Sequence, residues 1–245
     1  MKQIILFVLM VTLCVTMIIP HVYATQFIPY TGTTLPANPK ICILDNTAGK
    51  SSVNNTQIVL NEWSNKLNYL THSTAWNMKV FLIDRMHMTN CDVTFNFSLE
   101  PSDPIQYKDQ ITGKHHEGRY LGMTTCDTLY GHTYCQINIY LLNNNLHTMF
   151  TTTEHEFGHA MGLGHRQGDT TQDNIRAFLS DDLMYAMSKT FMHLTDDDVL
   201  AVIHLYGTHG FNSTVTIPSP YIIDHPTTLK EYCNGVSGKI CFHHI

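Results

Sequence analysis

Thr153-Glu154-His155-Glu156-Phe157-Gly158-His159-Ala160-Met161-Gly162-Leu163-Gly164-His165 sets three histidines at fixed spacings around one glutamate. His155 and His159 are four residues apart, so on a helix they stand one above the other on one face. Both imidazoles can then reach a single Zn²⁺ at about 2.0–2.1 Å. Glu156 lies one residue round, where its carboxylate meets a water beside the metal rather than the metal itself. Gly162 can take a positive φ and end the helix in a sharp turn. That turn lets His165 swing back as a third ligand. Three protein ligands leave a fourth position for water, which is the arrangement of catalytic rather than structural zinc. On the opposite face Leu146, Phe150, Thr153, Phe157 and Met161 follow helical spacing and read as core.

The extended motif H-E-x-x-H-x-x-G-x-x-H resembles that of the metzincin zinc endopeptidases. With its intervening residues it looks most like the matrixins, the matrix-metalloproteinase-like branch. The resemblance implies a methionine turn beneath the metal. Leu183-Met184-Tyr185 is similar to it, so Met184 is the expected residue and Met187 the alternative; either also fits plain core filling. Two positions depart from the pattern. Arg166 follows the third histidine where matrixins usually carry Ser, and Ala186 stands where their turn ends in Pro. Leu194-Thr195-Asp196-Asp197-Asp198 through Leu205-Tyr206-Gly207 resembles the last helix of matrixin catalytic domains. The resemblance runs over residues 40–207. It implies an α+β fold: a twisted, mostly parallel sheet with a zinc-site helix, a second packed helix and a C-terminal helix.

The ends of the chain read differently. Residues 1–24 hold an apolar run from Ile4 to about Pro20, then His21-Val22-Tyr23-Ala24 with small residues at cleavage-site positions. This is the pattern of a secretory signal peptide; an uncleaved anchor is the rival, because the run is long. Residues 25–39 read as a linker or short prosegment. They hold no Pro-Arg-Cys-Gly motif, so the cysteine-to-zinc latency of matrixins is not expected. Residues 208–245 lie outside the catalytic unit and read as an extended tail pinned on the domain, with a small loop from Cys233 to Cys241. A formal charge of −6 argues against nucleic acid as partner. No stable membrane insertion is expected once the signal is removed.

Between these ends, Lys40 to Leu44 reads as a strand, and Val59, Leu60, Trp63, Leu67 and Leu70 as a helix face. Trp76 to Ile83 reads as a strand whose apolar second half, Val80 to Ile83, should be covered on both faces. Val93, Phe95, Phe97 and Leu99 alternate with polar residues, as in a half-buried strand. Residues 101–118 are polar and read as a loop, with His115 and His116 as exposed histidines. Arg119 to Thr125 reads as a strand, which in matrixins is the edge lining the cleft; an extended peptide could add along Leu121 to Thr124. Ile137, Ile139 and Leu141 mark the next strand, and Asn143 to Asn145 supply caps for the zinc helix. Residues 166–182 form an insertion holding Asp169, Asp173, Asp181 and Asp182. A solvated acidic loop is expected there, although Ca²⁺ is conceivable. Thr195 is the expected cap of the last helix, with three acids at its positive end.

Six cysteines remain after signal removal: Cys42, Cys91, Cys126, Cys135, Cys233 and Cys241. An even number in an exported chain points to disulfides. Cys126 with Cys135, and Cys233 with Cys241, flank short turns that close at low entropic cost. In the matrixin sheet the first and third strands are parallel neighbours, so the resemblance implies Cys42 with Cys91. Free buried thiols are the alternative in a reducing compartment.

The function expected from the resemblance is a secreted zinc endopeptidase acting on protein or peptide. His155, His159 and His165 would hold one catalytic Zn²⁺, Glu156 would act as general base and Met184 would support the site. A non-catalytic zinc-binding interaction module on the same fold, and a zinc hydrolase with another substrate, are the alternatives. Retention of Glu156 favours an enzyme, because a structural site gains nothing from that carboxylate.

Overall fold

The computed structural model describes residues 33–44, 49–83, 91–100, 102–108, 114–129, 132–141, 145–166, 182–185, 192–212 and, as backbone, 239–244. The sequence elements in chain order are β1 (Lys40–Leu44), α1 (Lys50–Thr71), β2 (Lys79–Ile83), β3 (Val93–Ser98), β4 (Pro104–Lys108), β5 (His115–Arg119), β6 (Gly122–Leu129), β7 (His132–Tyr140), α2 (Leu146–Ala160), α3 (Asp196–Tyr206) and β8 (Lys239–His244). The main sheet has the order β2-β1-β3-β7-β6-β8. β2, β1, β3 and β7 run parallel, and β6 and β8 are antiparallel to their neighbours. This is the expected mixed α+β architecture with a mostly parallel sheet.

Within the parallel half, the inward faces of β1, β3 and β7 are buried because these strands carry apolar residues there. Ile41, Ile43, Val93, Phe95, Ile137 and Ile139 are all buried. α1 and α2 close over them. Trp63 of α1 meets Phe157 of α2 edge-on at 6.4 Å, and Phe157 stacks on Phe95 of β3 at 6.2 Å. Each such side chain contributes about 1.5–3 kcal/mol by leaving water. Trp63 also donates its indole N–H to the Glu154 carbonyl at 3.3 Å, and Asn55 donates to Thr153 Oγ1 at 3.1 Å. The two helices are thus fixed in rotation as well as packed, which decides the direction in which the histidines of α2 point.

Two disulfides staple the sheet. Cys42 joins Cys91 with Cα atoms 6.0 Å apart, and Cys126 joins Cys135 across the β6–β7 ladder at 4.1 Å. Both were expected; Cys233 with Cys241 lies outside the described residues. Residues at the end of the segment read as a linker belong to the core. Leu35 is buried and its N–H donates to the Tyr206 hydroxyl at 2.7 Å.

Several expectations are corrected. Residues 101–118 are not a loop throughout, since β4 and β5 pair as an antiparallel hairpin. Its exposed His115, His116 and Glu117 lack the apolar alternation that betrays a strand. Accordingly the strand expected from Arg119 begins at Gly122, and Arg119 ends β5. β2 is not covered on both faces. It is a terminal strand of the main sheet, and Phe81 and Leu82 are 45% and 53% exposed. Leu146, the first residue of α2, is 64% exposed rather than core. Most consequential, β6 is not an edge. β8 pairs with it from Gly122 to Asp127.

α3 begins in a capping box. Thr195 Oγ1 accepts from the Asp198 N–H, and Asp198 Oδ2 accepts from the Thr195 N–H at 2.8 Å. Asp198 is fully buried, and burial raises its pKa from 3.8 to about 6 against the lowering effect of the Thr195 hydrogen bonds and Arg166. Between those pH values the folded state keeps a proton that the unfolded chain has lost. Asp198 therefore contributes stability that is present below about pH 4 and lost as pH rises through 6. Asp198→Asn cannot ionise. Relative to that variant, the wild-type chain should lose about 2 kcal/mol between pH 4 and 7 in urea denaturation of the two metal-free proteins. A difference that stays constant with pH would contradict the assignment.

Candidate metal centre

α2 starts where Asn145 caps it, its side chain accepting from the N–H groups of His147 at 3.0 Å and Thr148 at 3.4 Å. It ends at Ala160. Gly162 follows with φ 100°, and its N–H bonds back to the His159 carbonyl. A Cβ at Gly162 would lie 2.4 Å from the Thr33 carbonyl oxygen, so both conformation and space exclude a side chain there. The turn carries His165 back over the helix, as the spacing anticipated.

The three imidazoles converge. Their Nε2 atoms are 3.0 Å apart for His155–His159, 3.1 Å for His159–His165 and 3.2 Å for His155–His165. Ligands about 2.0–2.1 Å from one tetrahedral ion would be separated by roughly 3.3 Å. Among the described residues this trio is the group of side chains placed to hold a metal. His155 and His159 are fully buried, and His165 is partly so.

Hydrogen bonds on the far side of two rings decide what these nitrogens are. His155 Nδ1 lies 2.5 Å from the Leu183 carbonyl oxygen, and His159 Nδ1 lies 2.8 Å from that of Leu163. A carbonyl only accepts, so each Nδ1 carries the proton and each Nε2 a lone pair. Two lone pairs 3.0 Å apart in a buried site cannot bond to each other. A cation between them turns repulsion into ligation. The donor set fits zinc, with imidazoles oriented by carbonyls behind them.

Met184 is buried and packs against the helix that carries His155 and His159. Its place is made by Gly158, where a Cβ would come within 2.5 Å of the Met184 sulfur. Glycine inside the His-Glu-Phe-Gly-His run is thus a close-approach residue, a signal available in the sequence but not used. Met187 lies outside the described residues.

Arg166 and Asp182 were the larger omission. Asp182 is not part of a solvated acidic loop. It is buried and forms an ion pair with Arg166, which also reaches Asp197 Oδ2 at 3.2 Å. Asp182 Oδ1 accepts from the Met184 N–H at 2.9 Å, and the Arg166 N–H donates to the Met184 carbonyl at 2.8 Å. The pair therefore clasps the residue after His165 to the turn that holds His155. Asp169, Asp173 and Asp181 lie outside the described residues.

Glu156 is buried against β6. Thr124 Oγ1 is 2.5 Å from Glu156 Oε2 and 3.0 Å from the Glu156 carbonyl oxygen. Gly122 lies beside it, and a Cβ there would meet Glu156 Cγ and Oε1 at 2.6 Å. Burial, and then the Glu156 and Asp103 carboxylates, raise the pKa of Tyr140. Glu154 points the other way, toward α3. Its pKa is well above the usual range, first because it is buried and then because Glu62 and Asp198 are near. It is a core carboxyl, not a ligand.

Arg166→Ala would leave the Asp182 carboxylate buried without its cation. The expected cost is about 3–5 kcal/mol in urea denaturation, with weaker metal retention because both Leu183 and His165 adjoin the clasp. Adding Asp182→Asn should restore part of the loss. A single variant within 1 kcal/mol of wild type would show the pair to be dispensable.

No protein-family model matches the chain, and no curated protein sequence matches it.

Proposed function

We propose that this chain is an exported zinc-dependent endopeptidase of the matrixin-like metzincin type. One observation carries the reading. Two buried histidines are locked by carbonyls so that their lone pairs face each other beside the Nε2 atom of a third, with a glutamate next in sequence to the first. His155, His159 and His165 would hold the metal. Zinc bound there supplies Lewis acidity, lowering the pKa of water to about 7 and polarising a substrate carbonyl.

The chain's own residues supply the proton path and the orientation. Glu156 takes the proton of the attacking water at its carboxylate and returns it to the leaving amine as the C–N bond breaks. Thr124 fixes that carboxylate by donating to Oε2. Met184 fills the floor beneath the ligand helix. The substrate would be an extended peptide lying along β6 beside Glu156, on the side where β8 pairs in this structure. Export is supported by the N-terminal apolar run in the sequence and by the two disulfides, which persist in oxidising compartments. Among the described residues, no helix is long and apolar enough to cross a membrane.

Glu156→Gln should retain about one zinc per chain while cleavage of unstructured peptides falls by roughly 10²–10⁴-fold. A non-catalytic zinc module would show no such difference, and a Gln variant with comparable turnover would remove Glu156 from the mechanism. A strong chelator should abolish cleavage and added Zn²⁺ restore it. Full activity in a verified metal-free sample would end the metallopeptidase reading.

A further inference from the structure

β6 has two sides. β7 takes one of them over its full length, from Gly122 opposite Ile139 to Leu129 opposite His132. β8, from the C-terminal extension, takes the other: Gly122 faces His244, Thr124 faces Phe242 and Asp127 faces Lys239. The paired residues include Gly122 and Thr124, the two that touch Glu156. The strand also has a direction. Its residue numbers rise from Asp127 toward Gly122, so it runs toward Glu156.

An extended peptide adding to the sheet beside Glu156 needs the same outward N–H and C=O groups of β6. Each backbone N–H donates one hydrogen bond, so two strands cannot both pair along this edge. We propose that β8 is an intramolecular competitor for this edge, seated where an extended peptide substrate would lie. The inference rests on the peptidase reading for what is displaced, but the occupancy itself can be tested without catalysis. β8 belongs to the same chain as β6, so it competes at an effective intramolecular concentration, on the order of millimolar for a strand tethered within reach. A free peptide of equal intrinsic affinity at about 10 μM would compete at a disadvantage of about a hundredfold. The closed chain is therefore slow toward peptides, and displacement or removal of β8 activates it. Such control needs no prosegment cysteine.

The test uses the full, zinc-loaded chain. Of two successive strand residues, one points its N–H at the neighbour, so Phe242→Pro with His243→Pro must remove a ladder bond. The probe is a fluorescent peptide with the sequence of residues 239–245, carrying Cys241→Ser to prevent disulfide exchange. In a Glu156→Gln background it should bind the double-proline chain at least tenfold more tightly than the chain with intact β8. Equal affinity for the two would overturn the proposal. Hydrogen exchange of the unsubstituted chain gives an independent reading: the amides of Gly122 to Asp127 that point away from β7 should be as protected as those that point toward it. Rapid exchange confined to the outward set would also overturn it. With Glu156 intact, kcat/KM on an unstructured peptide should rise at least tenfold in the double-proline chain, and an unchanged value in a cleaving enzyme would refute competition. Tighter probe binding without any cleavage by either chain would uphold the occupancy of β6 and reject the peptidase reading.

Discussion

The carbonyl oxygens of Leu183 and Leu163 each accept a proton from the back of a histidine, and that pair of hydrogen bonds governs the site. They fix the tautomers of His155 and His159, so the nitrogens facing the centre can only be lone-pair donors. A site built this way is costly without a cation, and the cost is met in advance by the fold. Leu163 comes into place because Gly162 turns with a positive φ against the Thr33 carbonyl. Leu183 comes into place because Arg166 and Asp182 clasp its turn and because Gly158 admits Met184. Ring orientation is therefore set by two backbone carbonyls that follow the ligand helix in the chain.

The other half of the site hangs on β6. Its Thr124 holds the Glu156 carboxylate, and its Gly122 leaves room for it. The strand is anchored from behind by its ladder to β7 and by the Cys126–Cys135 bridge. Rigidity of this kind suits a general base, whose efficiency depends on distance to the proton it takes. It also makes β6 a defined platform for backbone pairing, and the chain's own C-terminal strand is the partner seen there. The catalytic reading and the regulatory one thus share a single structural element.

Much of this was legible from residue spacing. The four-residue interval of His155 and His159, the turn at Gly162 and the return of His165 follow from helix geometry and from glycine's freedom at positive φ. Asn145 and Thr195 both cap as their side chains dictate. What escaped had no local signature. The Arg166–Asp182 pair joins residues 16 apart through burial, and an acidic residue in a polar insertion reads by default as solvated. The β4–β5 hairpin is exposed and so lacks apolar alternation. The exposed face of β2 arises from its terminal place in the sheet order, which an apolar run cannot reveal. The pairing of β8 with β6 depends on backbone hydrogen bonds between segments more than a hundred residues apart, and backbone carries no sequence code.

The most direct test of the account is the coordination of zinc in the purified chain, read by X-ray absorption at the zinc edge. Three imidazole nitrogens at about 2.0–2.1 Å with one further light ligand, at one ion per chain, are the predicted result. A sulfur ligand at about 2.3 Å, or failure to retain zinc at all, would contradict it.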